Sequence, residues 1–233
     1  MDVILVPGFW LDASSWSGVT PALVEAGHRV HPLTLPGLES RDAPRAGIGL
    51  QDHVDFVAQV VDRFDEPVVL VGHSGGGAVI HGVADARPDR IARAVYVDSG
   101  PPGEGEPIND GLPDDGGEIP LPPWDAFEEA DLIDLDDALR AEFEARAIPQ
   151  PKGVAVDGIR LTHERRFDVP ATVIACEFPS QVLRDAMAAG EPWVGELARI
   201  KDLELVDLPT GHWPQFTRPK ELGAAIVQAL RDR

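Results

Sequence analysis

Four successive apolar residues, Val68 to Val71, run into Gly72-His73-Ser74-Gly75-Gly76 and from there into Ala78-Val79-Ile80. An uninterrupted apolar run reads as a strand covered on both faces, and the apolar segment beyond the glycines reads as a helix. A chain that passes from strand to helix at one residue holds that residue in a strained conformation, and only small neighbours leave room for it. Ser74 stands at the turn, with Gly72 and Gly76 two positions to either side. That arrangement lifts its hydroxyl out at the carboxyl edge of the sheet, where parallel sheets bind their ligands. It also sets the backbone at a helix N-terminus, whose amides favour negative charge. Gly-x-Ser-x-Gly between a strand and a helix is read as a nucleophile turn. A phosphate loop does not fit: Gly-x-x-x-x-Gly-Lys is absent, and Gly72, Gly75, Gly76 and Gly77 miss the dinucleotide spacing.

Six apolar runs of this kind recur: Val3 to Val6, Val30 to Leu35, Pro67 to Val71, Ala94 to Val97, Ala171 to Cys176 and Leu203 to Leu208. Amphipathic stretches lie between them. Thr20-Pro21 offers an N-cap and a proline at the first helical position, with Gly27 as a stop. His53 to Phe64 carries Val54, Val57, Val60, Val61 and Phe64 at helical steps, a third helix starts after Ser74, and a fourth runs from Glu221 to Leu230. Strands alternating with helices predict an α/β chain with a doubly wound, mostly parallel six-stranded sheet and helices on both faces. After Gly100, prolines and glycines break regular structure as far as Pro123, and two helical stretches follow, Trp124 to Ala130 and Leu135 to Ala147. Residues 101–168 are expected to form a cap inserted into a core made of residues 1–100 and 169–233.

The 233 residues suffice for one sizeable core, and 40 acidic against 20 basic side chains give a formal charge of -20. A phosphate backbone or an anionic membrane surface is repelled, so neither nucleic acid nor membrane is an expected partner. The cap window holds eighteen acidic and six basic residues, a surface that favours solubility and disfavours anionic substrates. No apolar run approaches a membrane span, Met1 to Gly8 lacks a basic leader, and Cys176 is the single cysteine. A cytoplasmic location is expected, with no internal disulfide and no cysteine metal cluster.

A serine hydroxyl attacks only when a base accepts its proton. His212, in Pro209-Thr210-Gly211-His212-Trp213-Pro214 after the last strand, is the candidate base. His73 in the turn, His53 and His81 on helices, His28 and His31 beside the second strand, and His163 in the cap read as structural. The orienting carboxylate is expected between Ser74 and His212 in the chain. Asp98 is favoured because its short side chain ends the strand beside the nucleophile's. Glu177 after the fifth strand is the alternative, Asp185 is a weaker one, and a turn-capping role competes for Asp98. The amides of Gly75 and Phe9 are candidates for the oxyanion hole, the latter set by the turn at Pro7-Gly8. Trp10, Trp124 and Trp213 are candidates for an aromatic substrate pocket, with core packing as the other reading. Cys176 reads as a buried small residue. The acidic stretch Asp110 to Glu118 misses calcium-loop spacing, and neither metal nor cofactor is expected.

Taken together, Pro7-Gly8-Phe9, Trp16, Leu23, Ala26-Gly27-His28-Arg29-Val30, Leu35-Pro36-Gly37, Gly72-His73-Ser74-Gly75-Gly76, Tyr96-Val97-Asp98 and Gly211-His212 resemble the α/β-hydrolase superfamily. Within it they are similar to the small methylesterase and hydroxynitrile-lyase-like branch, over nearly the whole chain. The resemblance implies a cap between the fourth and fifth strands present here, and transfer of an acyl group to water through an acyl-serine on a small ester or lactone, without a cofactor. Two positions depart from the family pattern: Pro7-Gly8 replaces the usual His-Gly, and no Asp follows the strand around Phe178 to Ser180. A lyase of that branch usually places a lysine near its site, and Lys152 alone lies in the cap. A ligand-binding protein without turnover is the non-enzymatic alternative.

Overall fold

The computed structural model describes residues 1–231. Its strands are β1 (Asp2–Val6), β2 (Arg29–Pro32), β3 (Val68–His73), β4 (Ile91–Val97), β5 (Glu118–Ile119), β6 (Gln150–Pro151), β7 (Ala171–Ala175) and β8 (Leu203–Asp207). Its helices are α1 (Thr20–Glu25), α2 (Leu50–Val61), α3 (Gly75–Ala86), α4 (Asp137–Arg146), α5 (Lys152–Val156), α6 (Ser180–Ala189), α7 (Gly195–Arg199), α8 (Pro214–Thr217) and α9 (Pro219–Arg231).

Six strands form one sheet in the order β2-β1-β3-β4-β7-β8, with every pair parallel. Alternate residues of each central strand enter different layers. Ile4, Val6, Leu70, Ala94, Tyr96 and Val173 pack with α2 and α3, while Val3, Leu5, Val69, Val71, Val95, Val97 and Ile174 meet Trp16 and Leu23 on one side of α9. Burial on both faces is why these strands are apolar without alternation. The chain winds outward from β1 to β2 and, beyond β3, in the opposite direction to β4, β7 and β8. The strand order therefore reverses between β1 and β3, and a crevice opens at their carboxyl ends. Each strand of this sheet overlaps its expected run, with β1, β3 and β4 extending beyond it by one to three residues. The edge strand β2 stops at Pro32 rather than Leu35, after Leu33 donates one last amide to Leu5. Thr20 is not the N-cap of α1; its hydroxyl donates to the Trp16 carbonyl and Val19 takes the cap position.

Between β4 and β7 the chain forms the antiparallel pair β5–β6, the helices α4 and α5, and irregular turns. The Asp136 carboxylate caps α4 by accepting the Leu139 amide at 2.9 Å. The helix expected over Trp124 to Ala130 is reduced to the single 3-10 turn Trp124–Ala126, because Phe127 is extended and Asp131 draws the Glu128 amide into a separate turn. Phe143 of α4 is fully buried and meets Trp124 and Trp213 edge-on, with ring centroids 5.5 and 5.2 Å apart. Farther along, Arg166 is held between Glu196, at 2.8 and 3.0 Å, and Asp85 of α3, at 3.3 Å. His81 bonds Glu196 and Tyr96 in the same buried network, each at 3.1 Å.

Candidate active site

Ser74 joins β3 to α3 with φ 51° and ψ -124°, a conformation that side chains rarely adopt. The flanking glycines are required by contact. A Cβ on Gly72 would stand 2.5 Å from the Gly76 carbonyl oxygen, and one on Gly76 would stand 2.6 Å from the Pro7 carbonyl oxygen. The turn after β1 presses against the serine as well, since a Cβ on Gly8 would lie 2.9 Å from the Ser74 Cβ. Phe9 lies against Gly75, so both candidate oxyanion residues border Ser74.

Sheet register brings the remaining groups to this edge. His73 pairs with Val97 and Val97 with Ile174, so Ser74, Asp98 and the segment at Glu177 follow adjacent strand ends. Asp98 has φ 44°, and its Oδ1 accepts the amides of Cys176 at 2.9 Å and Glu177 at 3.2 Å. Its Oδ2 is left for His212 Nδ1, 2.7 Å away. On the other side of the ring, Nε2 is 2.8 Å from Ser74 Oγ. The turn-capping reading of Asp98 is thus part of the same arrangement, because the capped oxygen fixes the one that faces the imidazole. Glu177 Oε1 also reaches His212 Nδ1, at 2.6 Å. Both carboxylates considered from sequence therefore meet one nitrogen, while Asp185 bonds Gln181 on α6, away from the ring.

The loop carrying His212 is held from both sides. The His73 Nε2–H donates to the His212 carbonyl at 2.6 Å, and burial pushes the His73 imidazole down to about 3, so it stays neutral. From the segment between β4 and β7, the carbonyls of Asp131 and Ile133 accept the amides of His212, at 2.8 Å, and Gly211, at 3.1 Å. A Cβ at Gly211 would collide with those two carbonyls. No short-range sequence signal announces this grip, since it joins segments far apart in the chain.

Burial and charge oppose each other at His212. Burial pushes the imidazole down, the hydrogen bonds and charges of Asp98 and Glu177 push it up, and the carboxylates prevail, raising it to about 10. Burial raises Glu177 to about 7, with the Asp98 charge acting in the same sense. Burial also raises Asp98, but the hydrogen bond and charge of His212, together with the hydrogen bonds from Glu177 and the Cys176 amide, outweigh it and the net direction is downward. Asp98, Glu177 and His212 converge closely enough to suggest metal ligands. Their separations of 2.6 and 2.7 Å are hydrogen-bond distances; ligands of a tetrahedral zinc ion would stand about 3.3 Å apart. Both carboxylates stand within hydrogen-bond reach of Nδ1. Cys176 is buried, and its thiol is pushed far up by that burial, which leaves it unreactive.

Ser74 and His212 open on a cleft of about 820 Å³ walled by Phe9, Trp10, Ala78, Ile108, Phe127 and Trp213. The charged residues on its lining are Asp98, Glu128, Asp131 and His212. Trp10 and Trp213 both line the cleft. Trp124 does not border the cleft; it packs behind Phe127 and Trp213, with ring centroids 5.7 and 5.8 Å away, and Phe127 takes the exposed place. Lys152 lies outside the cleft, paired with Asp114 at 3.0 Å.

This chain is 36% identical over 113 residues to the carbendazim hydrolyzing esterase of Nocardioides sp. strain SG-4G, covering 47% of the chain and 46% of that protein. It is 36% identical over 100 residues to methylesterase 8 of Arabidopsis thaliana, covering 41% and 36%. The chain thus spans less than half the length of these curated relatives. An extracellular alpha/beta-hydrolase from a Paenibacillus species superposes over 100% of both chains, with a TM-score of 0.78 at 21% identity, a likeness of fold. Residues 3–225 match the model of the alpha/beta hydrolase family, and the chain belongs to that family.

Proposed function

We propose that this protein is a serine hydrolase that cleaves a small, uncharged carboxylic ester or lactone through an acyl-serine. The observation that carries this reading is the hydrogen-bonded series Ser74 Oγ, His212 and Asp98, with its serine end open to an apolar cleft. In this mechanism Ser74 Oγ attacks the ester carbonyl carbon as its proton passes to His212 Nε2, and Asp98 holds the resulting imidazolium by Nδ1–H. Charge on the carbonyl oxygen is met by the amides of Gly75 and Phe9, each worth on the order of 10²–10³ in rate. The bond to the alcohol breaks, and His212 returns its proton to the leaving oxygen. A water molecule, deprotonated by the same imidazole, then attacks the acyl-serine, releasing the acid and restoring Ser74.

Residues 101–168 act as the cap that walls the cleft on a core of residues 1–100 and 169–233. The carboxylates of Glu128 and Asp131 border the cleft, so an anionic substrate meets repulsion there. The relatives named above are esterases by name, in agreement with the chemistry. The single, buried Cys176 suits a reducing cytoplasm. A panel of chromogenic esters varied in acyl and alcohol size, run on wild type and Ser74→Ala, is the test. Loss of at least ~10³-fold in Ser74→Ala is expected. An unchanged rate in that variant would remove Ser74 from the chemistry.

A further inference from the structure

We propose that Glu177 is a second positioning acid for His212, sharing the Nδ1 proton with Asp98 so that either carboxylate alone holds the imidazole in its working tautomer. The proposal rests on the serine-hydrolase reading and adds to it that the histidine has two orienters, where one suffices for a triad.

The geometry is symmetrical at the nitrogen and unsymmetrical behind it. Asp98 Oδ2 and Glu177 Oε1 lie 2.7 and 2.6 Å from the same Nδ1. Asp98 is anchored by two backbone amides and nearly inaccessible, with 4% of its side chain exposed. Glu177 borders a second cavity of about 260 Å³, walled by Phe178, Leu183, Trp193, Val194 and Leu197, and is 19% exposed. Both acids touch this cavity, but Asp98 is the anchored and less exposed of the two, and Glu177 is the more open to solvent.

The titratable groups around the pair come from five segments. They are His73 at the end of β3, Asp98 after β4, Cys176 beside Glu177 after β7, His212 on its loop, and Asp131 in the cap turn. His73 is neutral, the Cys176 thiol is protonated, and the Asp131 carboxylate accepts the Glu128 amide. Among the described residues His212 is the ion-pair partner of both Asp98 and Glu177. Two carboxylates this close hold a proton between them when the imidazole is neutral. The burial that lifts Glu177 makes it the holder. When His212 takes the Ser74 proton, both oxygens face the imidazolium Nδ1–H. As pH rises and Glu177 ionises, a second negative charge beside the ring makes it a stronger base.

The test compares kcat/KM for p-nitrophenyl acetate in wild type, Asp98→Asn, Glu177→Gln and the double variant, with circular-dichroism melts to confirm folding. If the two acids replace one another, each single change costs roughly tenfold and the double costs on the order of 10⁴, beyond the product of the two. Glu177→Gln also moves the acid limb of the pH profile to lower pH, which a merely structural role would not do. That shift remains decisive if the double variant fails to fold. A full ~10⁴-fold loss in Asp98→Asn alone, with rate and pH profile unmoved in Glu177→Gln, would overturn the proposal. Fluorophosphonate labelling of Ser74 in wild type separates the two levels. A labelled serine with that outcome overturns only the role of Glu177, whereas an unlabelled serine overturns the hydrolase reading and this proposal with it.

Discussion

A non-glycine residue at φ 51° costs on the order of 1–3 kcal/mol, and Ser74 is held there by its surroundings. The restraint comes from backbone: the carbonyls of Val6 and Pro7 lie 2.7 and 2.6 Å from where a Cβ on Gly76 would stand. Neither can rotate away as a side chain would. Gly76→Ala is expected to lower stability by about 1–3 kcal/mol and to abolish most activity by moving Ser74. Urea midpoints and ester turnover on the same sample check both. In the proposed mechanism His212 must be unprotonated to accept the serine proton. Since Asp98 and Glu177 raise it above the usual 6.5, the protonated, inactive form persists to higher pH. The expected profile of kcat/KM climbs with pH along a limb centred above 6.5, and Asp98→Asn moves that limb down; a wild-type limb at or below 6.5 would contradict the electrostatics described. The turn at Ser74 was legible in the sequence because its cause is local: strand, small residues and helix are contiguous. The choice between Asp98 and Glu177 was not, because both end neighbouring strands and only the side-chain conformations bring them to one nitrogen.

The elements that carry the site differ in how their order is maintained. β1, β3, β4 and β7 are buried on both faces, and their apolar runs reveal them at once. The segment between β4 and β7, the proposed cap, is different: its longest helix, α4, is anchored by one fully buried side chain, Phe143, within a group of edge-on aromatic contacts that includes Trp124 and Trp213. Phe143→Ala is expected to cost ~3–5 kcal/mol. Amide exchange should accelerate most in α4 and the turn that grips the His212 loop, while the central strands retain the slowest exchange. Uniform acceleration across the sheet would show that the cap is not a separately opening unit. These features also explain what sequence reading missed. The expected Trp124–Ala130 helix ends after one turn because Phe127 is needed against Trp213, 5.3 Å between centroids, a contact made 86 residues along the chain. The amphipathic helix α6 was missed as well. Its first residue is fixed by Asp207, whose carboxylate accepts the amide and hydroxyl of Ser180 from the end of β8.

Over the whole molecule, a formal charge of -20 means that compaction brings like charges together. Screening lengths shorten from roughly 30 Å at 0.01 M salt to about 3 Å at 1 M, so added sodium chloride should relieve that repulsion. The melting temperature is expected to rise with salt; a fall would mean that the surface ion pairs outweigh the net charge. The candidate site sits where the winding of the sheet reverses, and residues 101–168 contribute much of the acidity. The proposed chemistry stands or falls with Ser74 as a nucleophile activated by His212. Intact-mass analysis after exposure to a fluorophosphonate tests it most directly. A single adduct mapping to Ser74, absent in Ser74→Ala and strongly slowed in His212→Ala, is the result expected. A folded wild-type protein that takes up no label, or takes it up elsewhere, would contradict the account.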